Sequence, residues 1–575
     1  MKTYFIYSGL FVFLLAAACS SSKDYSGGSF TGGEVTEVCD TTAGFQADIP
    51  EITFVRNLQG QTSWYASPLV YDLDGDGNNE LIAAYYNLYI FDSSFNLIAT
   101  GDEGEGRIYA PHVVADIDAD GITEIVVGRG HQVIVYEFSG GALTVKDGWP
   151  ASVAVNPDDA PEIRGMSAAD LDGDGMIEIV VSTTETIEEE DGGSQIYVFN
   201  HNGGLYQPAG GHAPAWPRYN ALAGEGNDLE RNGYGHHGYG CYGLNVGIGN
   251  IDDDDELEIL ATYDNHHIQA FKIDGVAINA SPWFTNRSNE FDGERFTWGQ
   301  FIRWADPTVE EAHYHLHEGE WPHPSWTEWL QWTASPPSVA DIDGDGYNEV
   351  VGAPNIEMHE PYETQAYGIF VLKGAYGNGD ESAMRKEGWE VIPRGEKPIS
   401  VDGWYPPGGV PAIMIADILG NPGLEMVVSL NDGFMYCFSA SGEILWRYNY
   451  RHGKRIMYAS EPVSVDLNGD GIPEIIFTTY GDPDRTDSGN LVVLRANGEL
   501  AQDIPLPNPG DNGNGSGSPA APGIGDLDGD GRLEIFVQTF DHGMDVFRVE
   551  STTSGCKPWP TARGGFLRMG QIDPR

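Results

Sequence analysis

The sequence predicts an all-β chain assembled from eight repeats of one short unit, and three observations carry that expectation. An acidic, glycine-rich loop recurs eight times along 575 residues. The copies are flanked by β-branched and aromatic runs such as Ile125-Val126-Val127 and Ile475-Ile476-Phe477, which favour extended strands. The shortest interval between copies, Asp72 to Asp116, is 44 residues, the length of a unit of four short strands.

The loops come first because their spacing carries chemistry. They read YDLDGDGNNELIAA, ADIDADGITEIVVG, ADLDGDGMIEIVVS, GNIDDDDELEILAT, ADIDGDGYNEVVGA, ADILGNPGLEMVVS, VDLNGDGIPEIIFT and GDLDGDGRLEIFVQ. Oxygen-bearing side chains stand at offsets 0, +2, +4 and +8. In the first three copies these are Asp72, Asp74, Asp76 and Glu80; Asp116, Asp118, Asp120 and Glu124; Asp170, Asp172, Asp174 and Glu178. The fourth and fifth supply Asn250, Asp252, Asp254 and Glu258, then Asp341, Asp343, Asp345 and Glu349. The seventh and eighth supply Asp466, Asn468, Asp470 and Glu474, then Asp526, Asp528, Asp530 and Glu534. A hard cation such as Ca²⁺ takes six to eight oxygens at about 2.3 to 2.6 Å, and alternate residues of a tight loop converge on one point. Gly75 and Gly77 permit the backbone reversal in the first copy. An EF-hand closes its loop with Glu at position 12 between helices; here the closing acid comes earlier and the flanks read as strands. The sixth copy keeps only Asp417 and Glu425 as acids, with Leu419 and Asn421 between them, so it is expected to be weak or empty. Seven calcium sites are therefore expected. One such loop alone is as readily a solvated turn; eight in register are not.

The remaining strands follow each loop in turn. A second strand starts at the closing acid. A third is legible at Tyr89-Ile90-Phe91, Gln195 to Phe199, Gly368 to Leu372, Met435 to Phe438 and Leu491 to Leu494, and a fourth at Ile444-Leu445-Trp446. The loops resemble the FG-GAP and VCBS repeats, related to the calcium-bearing loops of integrin α-subunit propellers. The resemblance runs from about Phe54 to Phe547 and implies a β-propeller with one repeat per blade: eight blades, or seven if the sixth unit is not a full one. Ring closure is expected from the strand-like Ile52 to Val55 pairing with Asp545 to Val549. Cys39 and Cys556 flank those two strands, so an oxidising compartment would let them form a disulfide. Cys241 and Cys437 sit in distant repeats and are expected to be free or buried.

Composition sets the class of partner and the address. There are 87 Asp and Glu against 30 Lys and Arg, a net charge of -57 with His neutral, which argues against nucleic acid as a partner. With 41% hydrophobic residues and 5 Cys the chain is neither a disordered segment nor a disulfide scaffold. Met1-Lys2, the apolar run Tyr4 to Leu15 and Ala16-Ala17-Ala18 before Cys19 resemble a lipoprotein signal, with Cys19 the lipidated residue. The pattern departs in having Ala16 where Leu usually stands, and the alternative is an ordinary signal peptide cut near Ala18. The organisation read from the sequence is a signal peptide over 1–18, an anchored tether over 19–48, a propeller over 49–560 and a tail over 561–575. The address is then a bacterial cell envelope, at the outer membrane or cell surface, with the membrane reached through the lipid alone.

Activity, if any, is expected in a Trp- and His-rich insertion at about 272–335. Residues 283 to 332 hold seven of the 14 Trp: Trp283, Trp298, Trp304, Trp321, Trp326, Trp329 and Trp332. Trp298, Trp304, Trp321, Trp326 and Trp329 could stack on sugar rings or form a hydrophobic cap. His313, His315 and His317 alternate as three zinc ligands on a strand would, yet no fourth ligand is visible, and solvated histidines are the commoner outcome. His236, His237, Tyr239, Tyr242, Arg231 and Arg303 form an inventory suited to β-elimination on a uronate. The first reading is a non-enzymatic surface lipoprotein that binds a glycan or protein ligand. The alternative is a polysaccharide lyase, and a third is a purely structural envelope protein.

Overall fold

In the computed structural model the described residues are 39–41, 47–58, 60, 64–154, 160–184, 196–206, 244–263, 267–273, 278, 290–291, 294–295, 335–353, 368–377, 381, 384–390, 395–396, 412–452, 458–481, 488–507, 516–540, 542–552 and 555–572. The seven Trp from Trp283 to Trp332 and His313, His315 and His317 of the insertion, the candidates Arg231, His236, His237, Tyr239, Tyr242 and Arg303, and Cys19 and Cys241 lie outside them.

Eight of the nine antiparallel sheets among the described residues form the blades of an eight-bladed propeller, the ninth being the two-stranded pair Glu290–Phe291 and Glu294–Arg295. Blade 1 is built from Leu69–Tyr71, Glu80–Ala84, Leu88–Phe91 and Leu97–Gly101, paired in that order. The other inner strands are Val113–Ala115, Ile163–Ala169, Val246–Gly249, Ser338–Ala340, Met414–Ala416, Val463–Val465 and Gly523–Gly525. Inner strands touch across six of the eight blade junctions, including that of blade 8 with blade 1, so the blades follow one another around a closed ring. Each acidic loop joins an inner strand to the second strand of the same blade, which places all eight loops on one face of the ring.

The sequence builds these strands for a simple reason. Second strands are sandwiched between neighbouring blades and therefore read as unbroken apolar runs: Ile125, Val126 and Val127 are buried, as are Ile475, Ile476 and Phe477. Each such side chain contributes roughly 1.5 to 3 kcal/mol by leaving water. Outer strands face solvent on one side, and Leu97 and Ile444 there are partly exposed.

Closure comes from both ends of the chain. Ile52–Leu58 adds to blade 8 as its outer strand, pairing antiparallel with Met544–Thr552, Ile52 opposite Val549 and Phe54 opposite Phe547. Cys39 and Cys556 form a disulfide with their Cα atoms 5.3 Å apart, and Cys437 is free and buried.

Cys556 also begins a segment that takes in most of the tail expected over 561–575. Residues 556 to 572 run into the ring axis and bond the inner strands around it. The amides of Val114, Ala168, Ile248, Val339, Ser464 and Ile524 donate to the carbonyls of Phe566, Leu567, Met569, Gly570, Trp559 and Pro560. Trp559, Ala562, Arg563, Phe566 and Arg568 are buried. Among the described residues this segment holds the only helix, the single turn Ala562–Gly564, and no helix is long and apolar enough to cross a membrane.

Candidate functional site

All eight acidic loops share one hydrogen bond. The closing Glu at +8 is buried at the start of the second strand, and its Oε2 accepts from the amide at +1. The donors are Leu73, Ile117, Leu171, Ile251, Ile342, Ile418, Leu467 and Leu527, at 2.8 to 3.1 Å. Oε1 is thereby turned to the loop centre. In blade 1 the first Asp folds the loop around itself: Asp72 accepts from the amides of Asp76 at 3.1 Å and Gly77 at 2.9 Å. Gly75 and Gly77 take φ of 70° and 88°, the left-handed region this reversal needs. In blade 2 that position is Ala119, at φ 55°.

The donor set fits a hard cation. Carboxylate oxygens of Asp72, Asp74 and Glu80 lie within 4.8 Å of one another, as do those of Asp116, Asp118 and Glu124, of Asp170, Asp172 and Glu178, and of Asp252, Asp254 and Glu258. Oxygens each about 2.4 Å from one ion stand at most about 4.8 Å apart. Buried oxygens without a hydrogen-bond partner occur in loops with and without a neighbouring base: Oδ1 of Asp118, Asp170 and Asp526, and Oε1 of Glu258. Burial, with the neighbouring Asp charges adding to it, pushes the Glu80 carboxyl up to about 7 and that of Glu178 up to about 8. A divalent ion would reverse both effects.

The loops are not alike in what faces the closing Glu. Lys146 Nζ lies 2.9 Å from Asp118, 2.8 Å from Glu124 and 2.8 Å from Glu137 in blade 2. In blade 4 Lys272 pairs with Asp252 at 3.0 Å and with Asp254. Lys386 lies 2.9 Å from Asp343, 3.1 Å from Asp345 and 2.6 Å from Glu349 in blade 5. Arg548 lies 2.5 Å from Asp528 and 2.7 Å from Glu534 in blade 8. In blade 6 the acids meet neutral donors: Thr41 Oγ1 donates to Asp417 at 3.1 Å, and Asn421 Nδ2 to Glu425 Oε1 at 3.2 Å. In blade 7 Asp470 accepts from the amide of Ala47 at 2.5 Å. None of these bases entered the sequence reading. A signal was present, since Lys146-Asp147-Gly148-Trp149 and Lys386-Glu387-Gly388-Trp389 repeat one pattern.

The opposite face carries a different constellation, around the strand ends farthest from the loops. Arg107 Nε and Nη2 donate to both oxygens of Glu162 at 2.5 and 2.9 Å, and Arg164 approaches the same carboxylate at 2.8 Å. Arg107 lies over the rings of Trp64 at 4.9 Å and Tyr109 at 5.2 Å, and Arg164 over Tyr109 at 4.4 Å. Tyr65, Tyr480 and Phe540 continue the aromatic floor. Trp64, Arg107, Glu162 and Arg164 are half-buried. Neither the arginines nor Trp64 had been singled out in the sequence, because their partners come from different blades.

The comparisons fall on the repeats. A model of the FG-GAP-like repeat matches residues 116–181 and 466–537, the loops and strands of blades 2 to 3 and 7 to 8. The chain carries FG-GAP-like repeats in an eight-bladed propeller. No curated protein matches the sequence. Solved structures that resemble it include BBS1N in complex with ARL6DN, at 10% identity, TM-score 0.41, over 88% of this chain and 99% of that one. Others are BamB from Moraxella catarrhalis, at 12% identity and TM-score 0.41 over 87% and 97%, and the exotype rhamnogalacturonan lyase YesX, at 13% and 0.41 over 94% and 96%.

Proposed function

We propose that the chain is a calcium-stabilised, lipid-anchored envelope protein that binds an acidic glycan on the face opposite its acidic loops. One observation supports the binding reading most. On a chain of net charge -57, Arg107 and Arg164 converge on the Glu162 carboxylate beside the half-buried ring of Trp64. Two guanidiniums converge here, and guanidinium is the group best shaped for carboxylate. An indole ring beside it offers a flat apolar face to a sugar ring.

Calcium supports the scaffold, held by loops such as that of blade 1, where the donors Asp72, Asp74 and Glu80 face no base among the described residues. Its charge would offset the mutual repulsion of three carboxylates and pin the inner strand to the second. The address rests on the Cys19 signal. The test is retention of the full chain on immobilised polysaccharides, with and without uronate. Retention on the acidic ones, lost at least about tenfold in Arg107→Gln and Arg164→Gln, is expected. Equal retention of wild type and both variants would refute the site. A rise in ultraviolet absorbance from unsaturated uronate ends would mark elimination and favour the lyase alternative.

A further inference from the structure

The shared bond from the closing Glu to the amide at +1 engages Oε2 in every loop and leaves Oε1 beside the Asp carboxylates. What stands against that oxygen divides the loops. In blades 2, 4, 5 and 8 it is a basic side chain from the same blade: Arg548 lies in the third strand, Lys272 just after it, Lys146 just after the fourth strand, and Lys386 on the segment that bridges the third strand at Leu372. Lys146 approaches Glu124 at 2.8 Å, Lys386 approaches Glu349 at 2.6 Å and Arg548 approaches Glu534 at 2.7 Å. Lys272 approaches Glu258 at 3.7 Å while pairing more closely with Asp252 and Asp254.

Two of these bases are held by the same construction. The amide of Lys146 donates to the Val135 carbonyl at 2.9 Å and that of Lys386 to Val371 at 3.0 Å. Three residues on, the amides of Trp149 and Trp389 donate back to the lysine carbonyls at 3.1 and 2.9 Å. Each indole then anchors the turn to the next blade, Trp149 Nε1 on the His201 carbonyl at 3.3 Å and Trp389 Nε1 on the Ala440 carbonyl at 2.8 Å. The glycine before each Trp is packed against the turn it meets: a Cβ on Gly148 would stand 2.3 Å from the Asn202 oxygen. The lysines are therefore positioned by the fold, and they are not surface side chains that happened upon an acid. Their ammonium groups sit among the oxygens an ion would need, so an ion could enter only by expelling a like charge.

We propose that Lys146, Lys272, Lys386 and Arg548 are built-in cations standing in place of calcium in blades 2, 4, 5 and 8, leaving the loops of blades 1 and 3 to take the ion. This rests on the calcium reading above and sharpens it: the chain carries a mixed set of ion-held and lysine-held blades. The load is then about two ions, or three with blade 7, in place of the seven expected from loop spacing alone.

Equilibrium dialysis of the full chain against calcium, with the bound metal counted by mass spectrometry, tests it. About two or three ions per wild-type chain are expected. Asp74→Asn should lower the count by one, whereas Asp118→Asn should leave it unchanged. Lys146→Gln with Lys386→Gln should raise it by two, and Lys272→Gln, at a more exposed position, supplies an independent variant if that pair does not fold by circular dichroism. Four or more ions on the wild type, or lysine variants that gain none, would overturn the proposal while leaving the calcium reading standing. No ion on any of the proteins would refute the calcium reading itself.

Discussion

Replacing Arg568 by alanine should release the axial segment and cost the ring about 4 kcal/mol. The side chain is fully buried, and its guanidinium donates to the carbonyls of His112 at 2.9 Å, Ala562 at 2.8 Å and Ser67 at 3.4 Å, and to Thr561 Oγ1 at 2.9 Å. His112 and Ser67 precede the inner strands of blades 2 and 1, so one side chain ties the segment to two blades. Its loss orphans three buried carbonyls, each costing roughly 1 to 3 kcal/mol, and opens a cavity. Relief from burying the charge offsets part of this, since burial already pushes the Arg568 pKa down to about 9 despite the Glu461 carboxylate. Unfolding entropy of about 2.1 cal/mol/K per residue makes roughly 1 kcal/mol equivalent to 1 °C for a ring of this size. Differential scanning calorimetry should therefore show a fall of about 4 °C, with faster proteolysis beyond Cys556. A variant melting within about 1 °C of wild type, its segment still protected, would refute the axial role.

Three further outcomes are expected. In chelator, the closing Glu80 and Glu178, raised to about 7 and 8 by burial and the adjacent Asp charges, bind more protons folded than unfolded. Stability should then fall as pH rises from about 4.5 to 8, and calcium should remove that slope in urea titrations across the range. Cys39→Ser opens a link spanning 517 residues and should cost up to about 5 kcal/mol, matched in wild type by reductant during thermal melts. Gly148→Ala, at φ 95° and against the Asn202 carbonyl, should cost at least about 1 to 3 kcal/mol by denaturant titration, whereas Gly140→Ala, with open space around it, pays only the backbone strain of its own positive φ.

The architecture was legible because its cause is local and repeated. Acids at fixed offsets and apolar second strands recur in every blade, and the strand pair that closes the ring was readable from its place outside the first and last loops. The axial segment was not legible. Trp559, Arg563 and Arg568 show no period, and their meaning depends on a hole that exists only once eight blades have closed. The bases inside the loops were half legible: the Lys-acid-Gly-Trp pattern occurs twice, but Lys272 and Arg548 reach equivalent positions from strands without it. On the proposal of mixed blades, counting acids alone includes four loops that a base already fills. The cluster of Trp64, Arg107 and Arg164 draws on residues before or at the start of three different inner strands, a neighbourhood that no linear spacing encodes.

The account rests most directly on where metal binds. Crystals of the full chain grown with terbium in place of calcium should give anomalous density inside the loops from Asp72 to Glu80 and from Asp170 to Glu178, with none where Lys146 and Lys386 stand. Density absent from all eight loops, or located away from them, would contradict it.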